Sequence, residues 1–446
     1  MGAFDGEHVV VIGAGVAGSA AARVLLAEGA TVRVSDSGRA TPGAGDLRAE
    51  GIEVLEGGHA LDHLDGATMV VASPGVPPHA EILRWAHDRR LPVWGEMELG
   101  ARLARVPYLA VTGTNGKTTT TGMLAACLRS AGLDAVACGN IGRPFPTAAR
   151  EPHDALVVEI SSFQLATQRS FHPRVSVLLN LAPDHLDWHG SFDAYSAEKA
   201  RIFALQGAAD VHVGNLDDDV SAAISRSAPC EVRWFTVGEP APGQDGVGVR
   251  DGRLAAGWSG ADLGALALDT PAMRADAAAA ATAAHAFAVG DHAIADAIGT
   301  FAPEPHRGET VATVDGVRFV DNSKATNPHA AIAAVGDVER VVLIAGGDAK
   351  GVDLTPLGSI APRLAGVVAI GASAGDVRTV FEGRVPVRDA GSIEEAARVA
   401  FRMASEGGTV LLAPACASWD MFRDYAERGD RFAAAARAIE KQDART

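Results

Sequence analysis

Residues 112–120 have the composition and spacing of a phosphate-binding loop. Their sequence, Thr-Gly-Thr-Asn-Gly-Lys-Thr-Thr-Thr, follows an apolar run and opens a helix-like stretch at 117–131. Backbone N–H groups in such a loop and at a helix N-terminus point toward an anion. The Lys117 ammonium can reach the outer phosphates, and the Thr118 hydroxyl can ligate Mg²⁺. Because Gly113 lies four residues before Lys117 and not six, we predict a shortened P-loop that binds a nucleoside triphosphate.

A second glycine pattern lies near the start of the chain. Residues 8–12 are an apolar run, followed by Gly13, Gly15 and Gly18 in a Gly-x-Gly-x-x-Gly pattern, and Asp36 ends the next apolar run. This spacing is typical of a dinucleotide-binding strand-loop-helix unit. The pattern predicts a diphosphate or a ribose at the helix start, and it leaves open which of the two binds there.

Polar residues follow two further apolar runs. Glu159 comes directly after residues 155–158, and His185 lies in the loop after residues 175–179. In open α/β sheets the functional site forms at the carboxyl ends of the strands. We therefore expect Glu159 and His185 beside Thr118, on the phosphate side of a parallel sheet.

The alternation of apolar runs with helical patterns predicts an α/β protein of three domains. We predict an N-terminal Rossmann-like domain over 1–100, a central P-loop ATPase-like parallel sheet over 101–300, and a C-terminal Rossmann-like domain over 301–446. In the last of these, the pattern places helices over 393–405 and 419–440.

Composition excludes several classes of function. The formal net charge of −16 disfavours nucleic acid and anionic membranes as partners, because both favour a basic surface. The four cysteines show no Cys-x-x-Cys spacing, so we expect reduced thiols and no zinc site. No apolar stretch is long enough for a membrane span, and because the first residues carry no basic segment we expect no secretory signal there. We expect a cytoplasmic, monomeric protein.

Eight motifs in this order resemble the Mur ligase family over nearly the whole chain. They are Thr112-Gly-Thr-Asn-Gly-Lys-Thr118, Gly139-Asn-Ile-Gly142, Glu159-Ile-Ser-Ser-Phe-Gln164, Asp184-His-Leu-Asp187, Tyr195-Ser-Ala-Glu-Lys199, Pro305-His-Arg307, Asp321-Asn-Ser-Lys-Ala-Thr-Asn327 and Pro414-Ala-Cys-Ala-Ser418. The Ser-Ser-Phe-Gln and Ser-Lys-Ala-Thr-Asn segments resemble the branch of the family that adds D-glutamate.

The resemblance implies an ATP-dependent ligase of peptidoglycan synthesis. Such an enzyme adds D-glutamate to UDP-N-acetylmuramoyl-L-alanine through an acyl phosphate and a tetrahedral intermediate. A carboxylate needs this activation because its leaving group in water would be oxide. A sister ligase that adds another amino acid, such as L-glutamate, remains an alternative. A dehydrogenase and a non-catalytic nucleotide-binding scaffold are more distant alternatives, because the first leaves the P-loop unexplained and the second needs no set of Glu159, His185 and Lys199.

The resemblance also implies roles for individual residues. The catalytic residues would be Lys117, Glu159, His185 and Lys199. Two Mg²⁺ ions would be held by Thr118, Glu159, His185 and a carbamoylated Lys199. ATP would be bound by Gly113, Thr114, Asn115, Gly116, Lys117, Thr118, Thr119, Arg307, Asp321 and Asn322. The UDP-sugar substrate would contact Gly15, Val16, Ala17, Asp36, Ser73, Pro74, Gly75 and Asn140. The incoming amino acid would contact Lys324, Thr326, Lys350, Ser418 and Tyr425. By spacing alone, Lys199 would be an ordinary solvated helix residue.

The chain departs from the family pattern at several of these positions. The family often has Gly-x-His-Asn-x-x-Asn near adenine, where this chain has Thr270-Pro-Ala-Met-Arg-Ala-Asp276. The Asp that often precedes Ser-Lys in the family is replaced by Asn322, with Asp321 one residue earlier, and either could contact ATP. Tyr425 stands where Phe is common.

Overall fold

The computed structural model describes residues 2–266, 270–336 and 338–443, without the side chains of 440–443. These residues form two compact units. The first contains residues 2–181, 196–266 and 275–301, and the second contains 182–195, 270–274 and 302–443. The domain boundaries expected at residues 100 and 300 stay predictions.

The N-terminal part of the first unit is a five-stranded parallel sheet in the order β3-β2-β1-β4-β5. Its strands are β1 (His8–Ile12), β2 (Thr31–Asp36), β3 (Glu53–Glu56), β4 (Met69–Ala72) and β5 (Val93–Gly95). Its helices are α1 (Val16–Ala27), α2 (Ala44–Ala49), α3 (Glu81–Asp88) and α4 (Glu96–Leu103), with a 3-10 helix at Leu61–Leu64. The strand order reverses between β1 and β4, and a crevice forms at such a point in doubly wound sheets.

The central part is a six-stranded parallel sheet in the order β11-β10-β9-β6-β8-β7. Its strands are β6 (Tyr108–Thr112), β7 (Ala135–Gly139), β8 (Ala155–Glu159), β9 (Val175–Leu178), β10 (Val211–Asn215) and β11 (Glu231–Phe235). A smaller antiparallel sheet follows, made of β12 (Val247–Arg250), β13 (Arg253–Ala256) and β14 (Asp262–Gly264). It lies within residues 240–265, a stretch that is rich in Gly and Pro.

The helices along residues 117–300 alternate with these strands in the sequence. They are α5 (Lys117–Ser130), α6 (Phe145–Ala148), α7 (Ser162–Leu165), α8 (Leu186–His189), α9 (Phe192–Ala200), α10 (Asp219–Ser225), α11 (Pro271–Ala286) and α12 (Asp291–Thr300), with a 3-10 helix at Arg201–Phe203. Of these, α8 with the starts of α9 and α11 belongs to the second unit. An apolar core runs continuously from the N-terminal sheet to the central sheet. Phe145 on α6 lies edge-on to Tyr108, with ring centroids 5.4 Å apart. A Cβ at Gly100 on α4 would enter the Phe145 ring, so glycine allows α4 and α6 to pack closely.

The second unit contains a six-stranded sheet in the order β15-β16-β20-β17-β18-β19. Its strands are β15 (Glu309–Val314), β16 (Val317–Asp321), β17 (Val341–Gly346), β18 (Leu364–Ile370), β19 (Val387–Asp389) and β20 (Thr409–Leu412). Its helices are α13 (Pro328–Val335), α14 (Ala374–Phe381), α15 (Ile393–Met403) and α16 (Tyr425–Asp443), with a 3-10 helix at Thr355–Arg363. β15 pairs antiparallel with β16, and all other pairs are parallel.

The start of α16 differs from the sequence prediction, which placed this helix from residue 419. The helix begins at Tyr425. Asp424 is the physical reason, because its side chain accepts a hydrogen bond from the Glu427 backbone N–H at 2.8 Å and caps the helix there. In the described ranges, no helix combines the length and apolar character that crossing a bilayer requires. The three larger sheets and the helices between their strands confirm the α/β fold class predicted from the sequence.

Candidate active site

The predicted P-loop joins β6 to α5, as its sequence requires. Gly113 and Gly116 have φ values of +157° and +86°, which only glycine adopts readily. A Cβ at Gly116 would also collide with the Asp276 carboxylate, so this glycine allows α11 to lie against the loop. The N-cap Gly116 has no side chain, and the first turn of α5 carries no acidic residue, but the Asp276 carboxylate lies beside this helix N-terminus. The positive end of the helix favours negative charge.

Two lysines meet at one carbonyl group of this loop. Lys117 Nζ donates to the carbonyl oxygens of Gly113 and Thr114 at 3.1 and 2.9 Å. Lys199 Nζ donates to the same Gly113 oxygen at 2.7 Å and to Thr112 Oγ1 at 3.4 Å. Lys199 is 2% exposed, so it is not the solvated helix residue that its spacing alone suggests. The structure thus brings Lys199 to the P-loop.

Asn180 braces the P-loop and was not identified as a site residue from the sequence. Its Oδ1 accepts from the Asn115 backbone N–H at 2.9 Å, and its Nδ2 donates to the Asn115 carbonyl at 3.1 Å. The Thr114 N–H donates to the Asn180 carbonyl at 2.9 Å. The available signal was a polar residue at the carboxyl end of β9, the strand that pairs with β6.

Glu159 has one carboxylate oxygen that no described residue binds. The residue is 2% exposed and pairs in register with Val111, just before the P-loop. Its Oε1 accepts from Asn140 Nδ2 at 2.8 Å, whereas its buried Oε2 has no hydrogen-bond donor among the described residues. A buried, unpaired carboxylate oxygen is costly, and a divalent cation would satisfy it. Within the described residues, no three His, Cys, Asp or Glu side chains form a metal cluster by themselves, so a cation here would need other oxygen ligands.

His185 lies in the second unit, at the N-cap of α8, with a left-handed φ of +53°. Its neighbour Asp184 accepts a hydrogen bond from Lys350 Nζ at 2.7 Å. Asn327 Nδ2 lies 3.4 Å from the other Asp184 oxygen. The structure therefore brings Lys350 to the segment that carries His185. The expectation that His185 lies beside Thr118 stays a prediction.

The first glycine pattern forms the N-terminus of α1. Gly15 is the N-cap, Val16 is 78% exposed, and no side chain of the described residues caps this helix. Ser73 lies at the end of β4, just before Pro74 and Gly75, and its Oγ donates to the Gly13 carbonyl at 3.3 Å. The loops after β1 and β4 therefore meet at the switch point of the sheet, beside the N-terminus of α1.

Asp36 is largely occupied by bonds within the chain. Its Oδ2 accepts from the Ala14 N–H at 2.6 Å, and its Oδ1 accepts from the Gly38 N–H at 2.7 Å and from Thr41 Oγ1 at 3.0 Å. Burial acts to raise the pKa of Asp36, but these hydrogen bonds outweigh it and hold the pKa below its ordinary value. The carboxylate ties the glycine loop to the end of β2.

Three loops of the second unit meet at one edge of its sheet, the edge formed by the carboxyl ends of the strands. They meet because they follow β16, β20 and β17, which are parallel neighbours. They carry the residues expected to bind the amino acid: Lys324 and Thr326 after β16, Ser418 after β20, and Lys350 after β17. The backbones of Asp348 and Ala417 exchange hydrogen bonds of 3.0 and 2.8 Å. Lys324 Nζ lies 3.8 Å from the centre of the Tyr425 ring, which places both at this edge.

Asp321 and Asn322, which the sequence left as alternatives, have different surroundings. Asp321 is fully buried, and its Oδ2 lies 2.6 Å from His306 Nδ1 while its Oδ1 accepts from the Ser323 N–H at 2.9 Å. Asn322 is partly exposed. Nearby in sequence, Arg307 has a buried Nη2 with no hydrogen-bond acceptor among the described residues, and its nearest carboxylate oxygen, on Glu304, is 3.8 Å away.

Three family models match consecutive parts of the chain. A MurD-like N-terminal domain of the Mur ligases matches residues 7–95, the Mur ligase middle domain matches 111–249, and the Mur ligase glutamate ligase domain matches 306–416. The chain belongs to the Mur ligase family.

Two relatives of this chain carry the same name. This chain is 46% identical to the UDP-N-acetylmuramoylalanine--D-glutamate ligase of Frankia casuarinae, over 98% of this chain and 95% of the relative. It is 42% identical to the enzyme of that name from Mycolicibacterium vanbaalenii, over 97% and 98%. The solved structure of UDP-N-acetylmuramate-alanine ligase MurC from Thermotoga maritima aligns with a TM-score of 0.63, 18% identity, and coverage of 97% of this chain and 99% of that one. At this identity, the last likeness concerns the fold.

Proposed function

We propose that this chain is the ATP-dependent ligase that joins D-glutamate to UDP-N-acetylmuramoyl-L-alanine in peptidoglycan precursor synthesis. The observation that carries the proposal is the full-length similarity to relatives of that name. The chemistry of the described site agrees with it. A P-loop, a buried acid with an unpaired oxygen and a cationic sheet edge are what an enzyme needs to activate one acid with ATP and join it to the amine of another.

The P-loop would hold the triphosphate of ATP. The N–H groups at the start of α5 would surround the phosphates, with Lys117 turning from the Gly113 and Thr114 carbonyls to the outer phosphates. Asn180 would keep the loop in shape while this lysine moves. Phosphoryl transfer depends mainly on position and charge neutralisation, so these residues would place the γ-phosphate in line with the substrate carboxylate.

Thr118 and Glu159 would hold a Mg²⁺ ion. The unpaired Oε2 of Glu159 is the observation that supports this, and a hydroxyl with a carboxylate suits a hard cation. When bound, Mg²⁺ neutralises charge on the phosphates. By the family resemblance, His185 and a carbamoylated Lys199 would be ligands of a second Mg²⁺ ion. Asn140 would fix the orientation of Glu159 by donating a hydrogen bond to Glu159 Oε1.

We further propose that Lys199 is carbamoylated. In the unmodified chain, two ammonium groups share the single carbonyl oxygen of Gly113, and both positive charges are near the P-loop. If the neutral amine adds CO₂, a nitrogen–carbon bond forms and one proton is released. The product is an anionic carbamate whose oxygens can ligate a cation. Modification would thus replace repulsion between two lysines by a ligand for the second metal.

The UDP-sugar and the amino acid would bind at two different sites. The diphosphate of the UDP-sugar would lie at the N-terminus of α1, near Gly15, Val16, Ala17 and the Ser73-Pro74-Gly75 turn, with Asp36 supporting the loop from below. The dicarboxylate amino acid would lie at the edge that carries Lys324, Thr326, Lys350, Ser418 and Tyr425. Cations and hydroxyl groups are the partners that carboxylates require.

In the third predicted domain, Arg307 and Asn322 would contact ATP. The buried guanidinium nitrogen of Arg307 has no acceptor in the described part of the chain and suits a phosphate oxygen. Asn322 is the accessible member of the pair, whereas Asp321 is committed to His306 and to the Ser323 N–H. We keep the three-domain division at residues 100 and 300, a cytoplasmic location and a monomeric state as parts of this proposal.

Orthophosphate release tests the proposal. Purified protein with ATP, Mg²⁺ and UDP-N-acetylmuramoyl-L-alanine should release phosphate when D-glutamate is added, and mass spectrometry should find one new amide per phosphate. Omission of any one substrate should abolish release. Phosphate release with L-glutamate and not with D-glutamate would instead support the sister-ligase alternative. No release with any amino acid would refute both.

A further inference from the structure

Arg428 is the largest fully buried side chain of the described residues. It lies on the first turn of α16 and is 1% exposed. Its Nε and Nη2 donate to the side-chain and backbone oxygens of Ser323 at 3.0 and 2.8 Å. Its Nη1 donates to the carbonyl oxygens of Cys416 and Ala417 at 3.1 and 3.4 Å. One guanidinium therefore joins the loop after β16 to the loop after β20.

The charge of this side chain is not balanced by a direct ion pair. No carboxylate of the described residues lies within salt-bridge distance of it, and its partners are carbonyl and hydroxyl oxygens. Burial lowers the pKa of Arg428 to about 10. A buried charge of this kind costs free energy, and an apolar side chain of similar volume often stabilises a fold equally well or better. Stability alone therefore does not account for an arginine here.

The neighbouring residue allows α16 to come close enough for these bonds. A Cβ at Gly429 would collide with the His306 ring, whose Nδ1 is held by Asp321. Ser323 Oγ in turn donates to the Tyr425 carbonyl at 2.7 Å, which fixes the start of the helix to the same loop. Arg428 and Gly429 together lock α16 against the segment that begins at Asp321.

Both loops that Arg428 joins carry residues expected to bind the amino acid. Ser323 directly precedes Lys324, and Ala417 directly precedes Ser418. The Asp348–Ala417 backbone bonds extend the connection to the loop of Lys350. The planar guanidinium has donors at fixed angles, so it sets both the distance and the orientation of the two loops.

We propose that Arg428 is a positioning residue for the amino-acid substrate, which holds the Lys324 and Ser418 loops at the spacing that a dicarboxylate amino acid requires. This inference rests on the proposed function. It assigns to Arg428 its main effect on the amino-acid substrate, a smaller effect on ATP because Asn322 adjoins Ser323, and none on the UDP-sugar.

The test is steady-state kinetics of Arg428→Lys, with each of the three substrates varied in turn. Lysine keeps the positive charge but cannot reach four oxygens in two loops. We expect the KM for D-glutamate to rise about tenfold or more, the KM for ATP to rise by a smaller factor, and the KM for the UDP-sugar to change less than about twofold. Arg431→Lys is the matched control, because Arg431 lies on the same helix in an exposed pair with Glu394 and should leave all three KM values unchanged.

A second variant keeps the test decisive if Arg428→Lys does not fold by circular dichroism. Ser323→Ala removes the acceptor of the Nε bond and the hydroxyl that donates to the Tyr425 carbonyl, and it keeps the Nη2 bond to the Ser323 backbone. It should give a smaller rise, about threefold, in the KM for D-glutamate. An unchanged KM for D-glutamate in the folded variants, or an equal rise in all three KM values, would overturn the proposal. If the wild-type protein uses another amino acid, the proposed function fails, and the same comparison with that amino acid still tests Arg428.

Discussion

At the scale of single residues, the candidate site contains buried polar groups. Some of them lack a hydrogen-bond partner among the described residues, and others bind backbone carbonyl groups. Glu159 Oε2 has no donor in the described part of the chain, and Lys199 is enclosed against the Gly113 carbonyl. Sequence spacing alone would have placed Lys199 on a solvated helix face. Its burial results from tertiary packing. The carbamoylation that the family resemblance implies therefore concerns one enclosed amine and can be tested there.

Substitution of Lys199 tests that hypothesis. Lys199→Ala should lower kcat by about 100-fold or more, because the carbamate ligand is lost. Short carboxylates such as formate or acetate should restore part of the activity by placing an anionic oxygen in the vacated space. The measurement is phosphate release with increasing carboxylate concentration.

Lys117→Ala serves as the control for this rescue. Lys117 is expected to act as a cation on the phosphates, so a carboxylate should not restore that variant. Full activity of Lys199→Ala without added carboxylate would contradict the hypothesis, as would an unmodified Lys199 in a fully active enzyme at high resolution.

At the scale of elements, α4 is connected to the segment that follows Glu159. Gln164 Nε2 donates to Glu96 Oε1 at 2.7 Å, and Gln164 also forms a capping box with Ser161 at the start of α7. Glu98 Oε2 accepts from the Arg169 and Ser170 N–H groups at 2.8 and 2.9 Å. Two buried acids of one helix thus hold the chain that emerges from β8.

Glu96 gives this connection a measurable pH dependence. Burial raises the pKa of Glu96 to about 7, so the folded state binds a proton that the unfolded chain releases near pH 4.5. The stabilisation is complete below about pH 4.5 and is lost as pH rises to about 7. Glu96→Gln removes this titration. We expect the free energy of unfolding of the variant, relative to wild type, to increase between pH 5 and pH 8 by an amount on the order of 3 kcal/mol.

Urea denaturation at both pH values measures this difference. Glu394→Gln is a suitable control, because Glu394 is in an exposed pair with Arg431 and its pKa lies below the ordinary value. A constant difference between Glu96→Gln and wild type across this pH range would contradict the assignment.

The elements also show what could be predicted from sequence. The bounds of β1 were predicted correctly at residues 8–12, because this strand is a short apolar run with a turn signal at its end. The predicted start of α16 at residue 419 was wrong, because the helical sequence pattern begins before the cap at Asp424. Glu96 was not identified, because an acid in the first turn of an amphipathic helix usually faces solvent. Its burial comes from a segment almost 70 residues later in the chain.

At the scale of the whole molecule, local motifs predicted the nucleotide-type loops, and long-range packing determined the residues that support them. The P-loop could be found from its glycines and lysine because loop, helix start and phosphate chemistry are encoded within nine residues. Asn180 and Arg428 could not be found in this way, because their partners are distant in the sequence. Asn180 binds a residue 65 positions away, and Arg428 binds a residue 105 positions away. The predicted roles of the site residues stay predictions, and their common premise is that ATP phosphorylates the substrate carboxylate.

An oxygen-labelling measurement tests this premise most directly. UDP-N-acetylmuramoyl-L-alanine with ¹⁸O in both carboxylate oxygens is incubated with ATP, Mg²⁺, D-glutamate and the protein, and the released phosphate is analysed by mass spectrometry. An acyl phosphate transfers one carboxylate oxygen to the phosphate, so the account predicts one ¹⁸O in each orthophosphate. Amide formation with unlabelled orthophosphate, or with the label in AMP, would contradict it.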